Sequence, residues 1–256
     1  MEDYKDFDEK QMTQIRLGLK KGLDVSVYAK PEFSQSQMEQ IRRGLEKGLD
    51  VSVYAAEFNA EQLEQIRWGL EENFDVSVYA KPEFSVAQMA QIRFGFMKGL
   101  DVSVYAKPEF EWMQMREIRK GLENGLDVSV YAKLEFDYEQ MTEIKAGLEG
   151  KLDVSIYAKP EFDSYQMSQI RVGLGNGLDV SVYAKPEFDC DQMAEICSGL
   201  KYGLDVSTYA KPEFSWAQMK EIRIGLEKGL DVSDLLPLSV RIEAWCEQEN
   251  EDDLER

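Results

Sequence analysis

The sequence predicts an all-α fold, a right-handed α-solenoid of nine two-helix repeats, each a long helix followed by a short one. Three observations predict it. A phenylalanine recurs at Phe7, Phe33, Phe58, Phe84, Phe110, Phe136, Phe162, Phe188 and Phe214, at intervals of 26 residues with one interval of 25. Self-similarity at this period marks a repeat architecture. Each copy opens with helix-start signals, and all but one close the first half on a residue suited to a left-handed turn.

The unit that runs from Phe7 to Glu32 illustrates the first helix. Asp8 is an N-cap and Gln11 follows three residues later, which makes a capping box, while Phe7 and Met12 form a hydrophobic staple. All nine copies keep the glutamine, and the methionine is lost only at Leu63. The cap is Asp, Ser or Asn except at Glu111, a weaker choice. Met12, Ile15 and Leu19 lie at i, i+3 and i+7, which predicts a core stripe on a helix over 8–21. Gly22 supplies the left-handed end, replaced once by Asn73 and once by Lys151, where Gly150 is expected to stop the helix one residue early. Gly18 recurs mid-helix in every copy at a cost of about 1 kcal/mol relative to alanine, so a backbone or tyrosine ring is expected to cross there.

The second half, Leu23 to Ala29, supports two readings. Alternation of Leu23, Val25, Val27 and Ala29 with polar residues is strand-like, and would give a leucine-rich-repeat-like α/β solenoid. Alternatively Asp24 caps a short helix that Lys30-Pro31 ends, with Val25, Tyr28 and Ala29 on one face. The boundary signals favour the helix. The run Q-M-x-x-I-R-x-G-L-x-x-G-L-D-V-S-V-Y-A-K-P-E-F resembles the short helical repeats in proteins of gut-dwelling Gram-positive bacteria and their mobile elements. The resemblance spans about residues 7–233. It implies a helical second element and brings no catalytic residues.

The organisation expected is a lead-in over 1–6, repeats over 7–233, a C-terminal cap over 234–246 built on Leu238, Ile242 and Trp245, and an acidic tail over 247–256. The single short interval falls in the linker, where Ala55-Ala56-Glu57 stands for Ala-Lys-Pro-Glu.

Composition narrows the function classes. With 49 acidic and 30 basic residues the net charge is −19, which argues against direct binding to nucleic acid or an anionic membrane. Histidine is absent, and no phosphate loop, nucleophile elbow or paired-carboxylate site is visible, so no enzyme and no cofactor is expected. Cys190, Cys197 and Cys246 show no CxxC spacing, so neither a disulfide framework nor a metal site is expected. The opening Met1-Glu2-Asp3-Tyr4 does not read as a signal peptide, and no apolar run is long enough to span a membrane. A cytoplasmic setting fits these features. The Asp24 series reads as N-caps rather than calcium ligands, the Tyr28 series as core with a satisfied hydroxyl, and the Arg16 and Glu32 series as an inter-repeat ion-pair ladder.

Positions that differ among copies are free of the fold's demands. Residue 17 of the unit and its equivalents read Leu17, Arg43, Trp68, Phe94, Lys120, Ala146, Val172, Ser198 and Ile224. Residues 10, 13, 17 and 20 form one helical stripe, distinct from the core stripe. This face and its margin carry Trp68, Phe94, Met97, Trp112, Met113, Tyr138, Tyr165, Tyr202 and Trp216. Aromatic and methionine side chains among charges are what protein-binding surfaces contain, and Trp68, Phe94, Met97 and Met113 are the expected hot spot. The competing reading has some of these rings filling gaps between repeats. The expected function is therefore a non-enzymatic protein-binding scaffold, acting as a monomer or weak oligomer. A sharper form is an anti-CRISPR-like or DNA-mimic-like inhibitor from a phage or mobile element, occupying a basic nucleic-acid cleft of a host defence nuclease. A structural spacer or general adaptor is the alternative.

Overall fold

The computed structural model describes residues 4–235, which contain nine α-helices and no strand. The chain forms two compact units, residues 1–128 and 129–256. In the first, α1 (Glu9–Lys20), α2 (Gln35–Leu45), α3 (Ala60–Glu71), α4 (Val86–Met97) and α5 (Trp112–Glu123) pack each on the next. In the second, α6 (Tyr138–Glu149), α7 (Ser164–Gly175), α8 (Cys190–Lys201) and α9 (Trp216–Glu227) do the same. The expected cap residues Leu238, Ile242 and Trp245, Cys246 and the segment 247–256 lie outside the described residues.

Each long helix starts as its sequence dictates. The Gln11 amide donates to Asp8 Oδ1 at 2.7 Å, and the Asp8 amide donates to Gln11 Oε1 at 2.8 Å. At Glu111, Gln114 Oε1 still accepts from the cap amide at 2.7 Å. Each ends in a Schellman motif: in α1 the Leu23 amide reaches Gly18 O and the Gly22 amide reaches Leu19 O, both at 3.0 Å.

One local expectation is corrected. The helix before Lys151 does not stop early. α6 ends at Glu149 in the register of its neighbours, Gly150 stays right-handed with φ −76°, and Lys151 itself takes the left-handed conformation with φ 55°. The Schellman hydrogen bonds from Lys151 and Leu152 hold it there. Because a side chain in that region costs about 1–2 kcal/mol, Lys151→Gly is expected to stabilise the chain by about 0.5–1 kcal/mol in denaturant unfolding. Destabilisation would show that the Lys151 side chain contributes more than its backbone costs. The core stripe lies where it was expected. Ile15 is fully buried, as are Met38, Ile41, Met89 and Ile92 in later copies, and its third member is looser: Leu19 at the first copy is 56% exposed, while Leu45 and Leu70 are half-buried.

The second element is helical, as the boundary signals indicated, but it is a single 3-10 turn over Val25–Val27 rather than a short α-helix. The Schellman end and Pro31 leave room for one turn only. Asp24 caps it, its Oδ1 accepting from the Ser26 amide at 3.0 Å. Val25 and Tyr28 are buried while Val27 and Ala29 are half-buried, whereas a strand's alternation would have placed Tyr28 on the outer side. Lys30 to Phe33 then form a β-turn closed by the Phe33 amide on Lys30 O at 3.0 Å, with Pro31 at its second position.

The mid-helix glycine is explained by this turn. The Tyr28 hydroxyl lies under Gly18 and donates to Gln14 O at 3.0 Å, and a Cβ on Gly18 would stand 1.9 Å from that hydroxyl. The same lock recurs at Gly69–Tyr79, Gly95–Tyr105, Gly147–Tyr157, Gly173–Tyr183 and Gly199–Tyr209. The second repeat breaks the pattern. Its linker is one residue short, its 3-10 turn slips to Ser52–Tyr54, and Val51 rather than tyrosine lies under Gly44. Tyr54 moves out to meet Phe58 edge-on at 6.2 Å, and Val53 becomes 71% exposed.

Candidate interaction face

The joints between repeats are built from three side chains of the frame. The capping-box glutamine also reaches forward: Gln11 Nε2 donates to Phe33 O at 2.7 Å and Gln192 Nε2 donates to Phe214 O at 2.6 Å. Five more copies make the same bond, from Gln37, Gln62, Gln88, Gln140 and Gln166. In six helices an arginine reaches back. In the first unit Arg42, Arg67, Arg93 and Arg119 donate from Nε to Gln14, Gln40, Gln65 and Gln91, at 3.0–3.1 Å. In the second, Arg171 and Arg223 donate to Glu143 and Glu195 at 2.8 and 2.7 Å.

This corrects the expected ladder. The arginines pair with the glutamine or glutamate equivalent to Gln14 on the preceding helix and, at Arg42, Arg67, Arg119 and Arg223, with a glutamate four residues on. The Glu32 series stays on the exposed linker. A signal for the true partner was present, since the residue equivalent to Gln14 is Gln or Glu in all nine copies. Burial raises the pKa of Glu46, but hydrogen bonds and charge from Lys21 and Arg42 outweigh it and hold the carboxyl below its ordinary range. Cys197 stands where an arginine would and is buried, and Cys190 is half-buried.

With the frame directed inward, the variable residues remain open. None of the nine residues at position 17 is buried; Phe94 is 39% exposed and Trp68 half-buried. In the first unit three of the expected hot-spot residues meet around one arginine. The Arg93 guanidinium lies 5.0 Å from the Trp68 ring centre and 4.9 Å from that of Phe94, and Nη1 contacts Met97 Sδ at 3.4 Å. Arg67 flanks Trp68 and Arg119 flanks Phe94, both at 5.7 Å, so cations and rings alternate along the surface. Burial lowers the pKa of Arg93, opposed by Tyr79, Glu72 and Glu64. Trp68, Glu71, Glu72, Arg93 and Met97 line a shallow open depression.

Met113 does not join this group. It holds the register of Ala87, seven residues before that of Phe94, which is about 10 Å along a helix. Trp112 pairs instead with Arg116 at 5.5 Å. In the second unit the expected residues stand apart. Tyr138 is half-buried and donates to Glu139 at 2.9 Å, Tyr165 and Tyr202 are open to solvent, and Trp216 lies against Lys220 at 5.8 Å.

Fold and face together define an all-α helical-repeat protein with its sequence variation turned toward solvent. Comparison with protein-family models, curated proteins and solved structures finds no match. Among the described residues no helix is long and apolar enough to cross a membrane.

Proposed function

We propose that the chain is a non-enzymatic protein-binding scaffold whose variable helix faces recognise a partner with a basic surface. The observation that carries this reading is the separation of roles along the helix. Residues shared by the copies are consumed in caps, locks and joints, while position 17 ranges from arginine to tryptophan and is never buried. A spacer needs no such customised face. Rings backed by arginine, as at Trp68 and Phe94, match the composition of binding hot spots. The charge of −19 favours a basic partner and an encounter that salt weakens, which fits the blocking of a nucleic-acid-binding surface.

The test compares the chain with its Trp68→Ala, Phe94→Ala, Met97→Ala variant as bait in bacterial lysate. A captured partner is expected to bind the variant about 100-fold more weakly, and both baits less tightly at high salt, while helicity by circular dichroism is unchanged. Equal capture by the variant, or binding indifferent to salt, rejects the reading. Loss of helicity would instead assign these rings to the core.

A further inference from the structure

The line of residues 10, 13, 17 and 20 differs sharply from helix to helix. In α4 it reads Ala87, Ala90, Phe94 and Met97, and it is the one line made wholly of apolar side chains. The alanines are half-buried and Phe94 and Met97 exposed, so the stripe is open along its length. It also has a rigid base, because Phe96 on the inner side of α4 stacks on Phe74 at 5.5 Å. The neighbours are fixed in register and run in the same direction. Gln62 near the start of α3 holds the Phe84 carbonyl just before α4, and Gln65 accepts from Arg93 further along.

Their charges differ in sign. The α3 side presents Glu61, Glu64 and Glu72, with Glu72 at the edge of the depression beside Trp68. The α5 side presents Arg116 and Lys120, which share the buried Glu117 at 2.9 and 3.6 Å, and ends in Glu123, which Arg119 pairs. An apolar stripe about three turns long thus runs between an acidic border and a basic one.

We propose that this stripe seats one amphipathic helix of the partner, apolar at i, i+3 or i+4 and i+7, with basic residues along the edge meeting α3 and acidic residues along the edge meeting α5. The small Ala87 and Ala90 leave room for large apolar side chains, and Phe94 and Met97 meet smaller ones. The opposite signs of the two borders fix the helix's direction, because turning it end for end brings like charges together. The inference rests on the protein-binding reading and assigns the partner element and its place.

The test is selection of a displayed library of randomised 16-residue helical peptides on the full chain. Enriched peptides are expected to carry the apolar spacing with one basic and one acidic edge. Their binding is expected to fall at least about tenfold on the Phe94→Glu, Met97→Glu variant, and about threefold on Glu61→Lys or on Lys120→Glu. Ala90→Glu, a change at a half-exposed helical site, should block binding while leaving the melting curve in place. Peptides that bind the Phe94→Glu, Met97→Glu variant undiminished, or whose edges carry a single sign, overturn this seat while leaving the scaffold reading intact. Failure to enrich any peptide also overturns it. Equal lysate capture by the triple alanine variant is the separate result that rejects the scaffold reading.

Discussion

Alanine at Gly173 is expected to lower the stability of the chain by about 2–3 kcal/mol, although alanine is the better helix former by about 1 kcal/mol. A Cβ at this site would stand 1.9 Å from the Tyr183 hydroxyl and 2.8 Å from Val180 Cγ1. The ring must leave its seat or the turn must lift from the helix. Two residues on, Gly175 has nothing within 4 Å and an ordinary helical backbone, so Gly175→Ala should stabilise by up to about 1 kcal/mol. Changes of opposite sign on one helix separate the steric cause from propensity. Tyr183→Phe removes the clashing oxygen and leaves Cζ at 3.2 Å, so the double variant should recover part of the loss. Urea unfolding of the four chains measures the cycle. Additive effects would show that the tyrosine does not impose the glycine.

Gln192→Ala is expected to cost about 2–4 kcal/mol, much more than an ordinary lost cap. One side chain serves both ends of a joint. Its Oε1 accepts from the Asp189 amide at 2.8 Å, and its Nε2 donates to Pro212 O at 3.0 Å and Phe214 O at 2.6 Å. Removal leaves the buried Phe214 carbonyl without this donor. Gln192→Glu distinguishes the two roles, because it keeps the capping acceptor and sets a carboxylate against two carbonyl oxygens. Near neutral pH it should be no better than alanine. Its carboxyl would be raised above the unfolded value, so stability should return as the pH falls through that raised value. A glutamate variant as stable as wild type at neutral pH would show that the capping box alone accounts for the residue.

The sequence made the long helices legible because caps, staple and stop all act within a few residues of one another. The second element was harder. The seven residues between the Schellman end at Leu23 and Pro31 satisfy a strand's alternation as easily as a turn's, and only the packing of Tyr28 under Gly18 decides between them. The glycine was legible as a steric site for the same reason. The joints were not. The capping box fully accounts for Gln11 in the sequence, which gives no sign of the second role of its amide, and charge alone points the Arg16 series to Glu32 although its partner lies on the neighbouring helix. Hydrogen bonds that span 20–28 residues leave no local periodicity. Of the expected hot spot, Trp68, Phe94 and Met97 converge because Arg93 lies among them, while Met113 shares the face but not the level along it.

The joints have an evolutionary consequence. Because seven of the glutamines grip a backbone carbonyl and six of the arginines find a Gln or Glu, these joints do not depend on which two copies they unite. Unequal recombination between near-identical coding segments can therefore insert or delete a whole copy and leave sound junctions behind. The variable surface can then lengthen or shorten in steps of one helix, and each new helix is free to diverge where it meets water. The slipped second turn, with Tyr54 displaced yet its glutamine and arginine still engaged, shows that the scheme survives an imperfect splice.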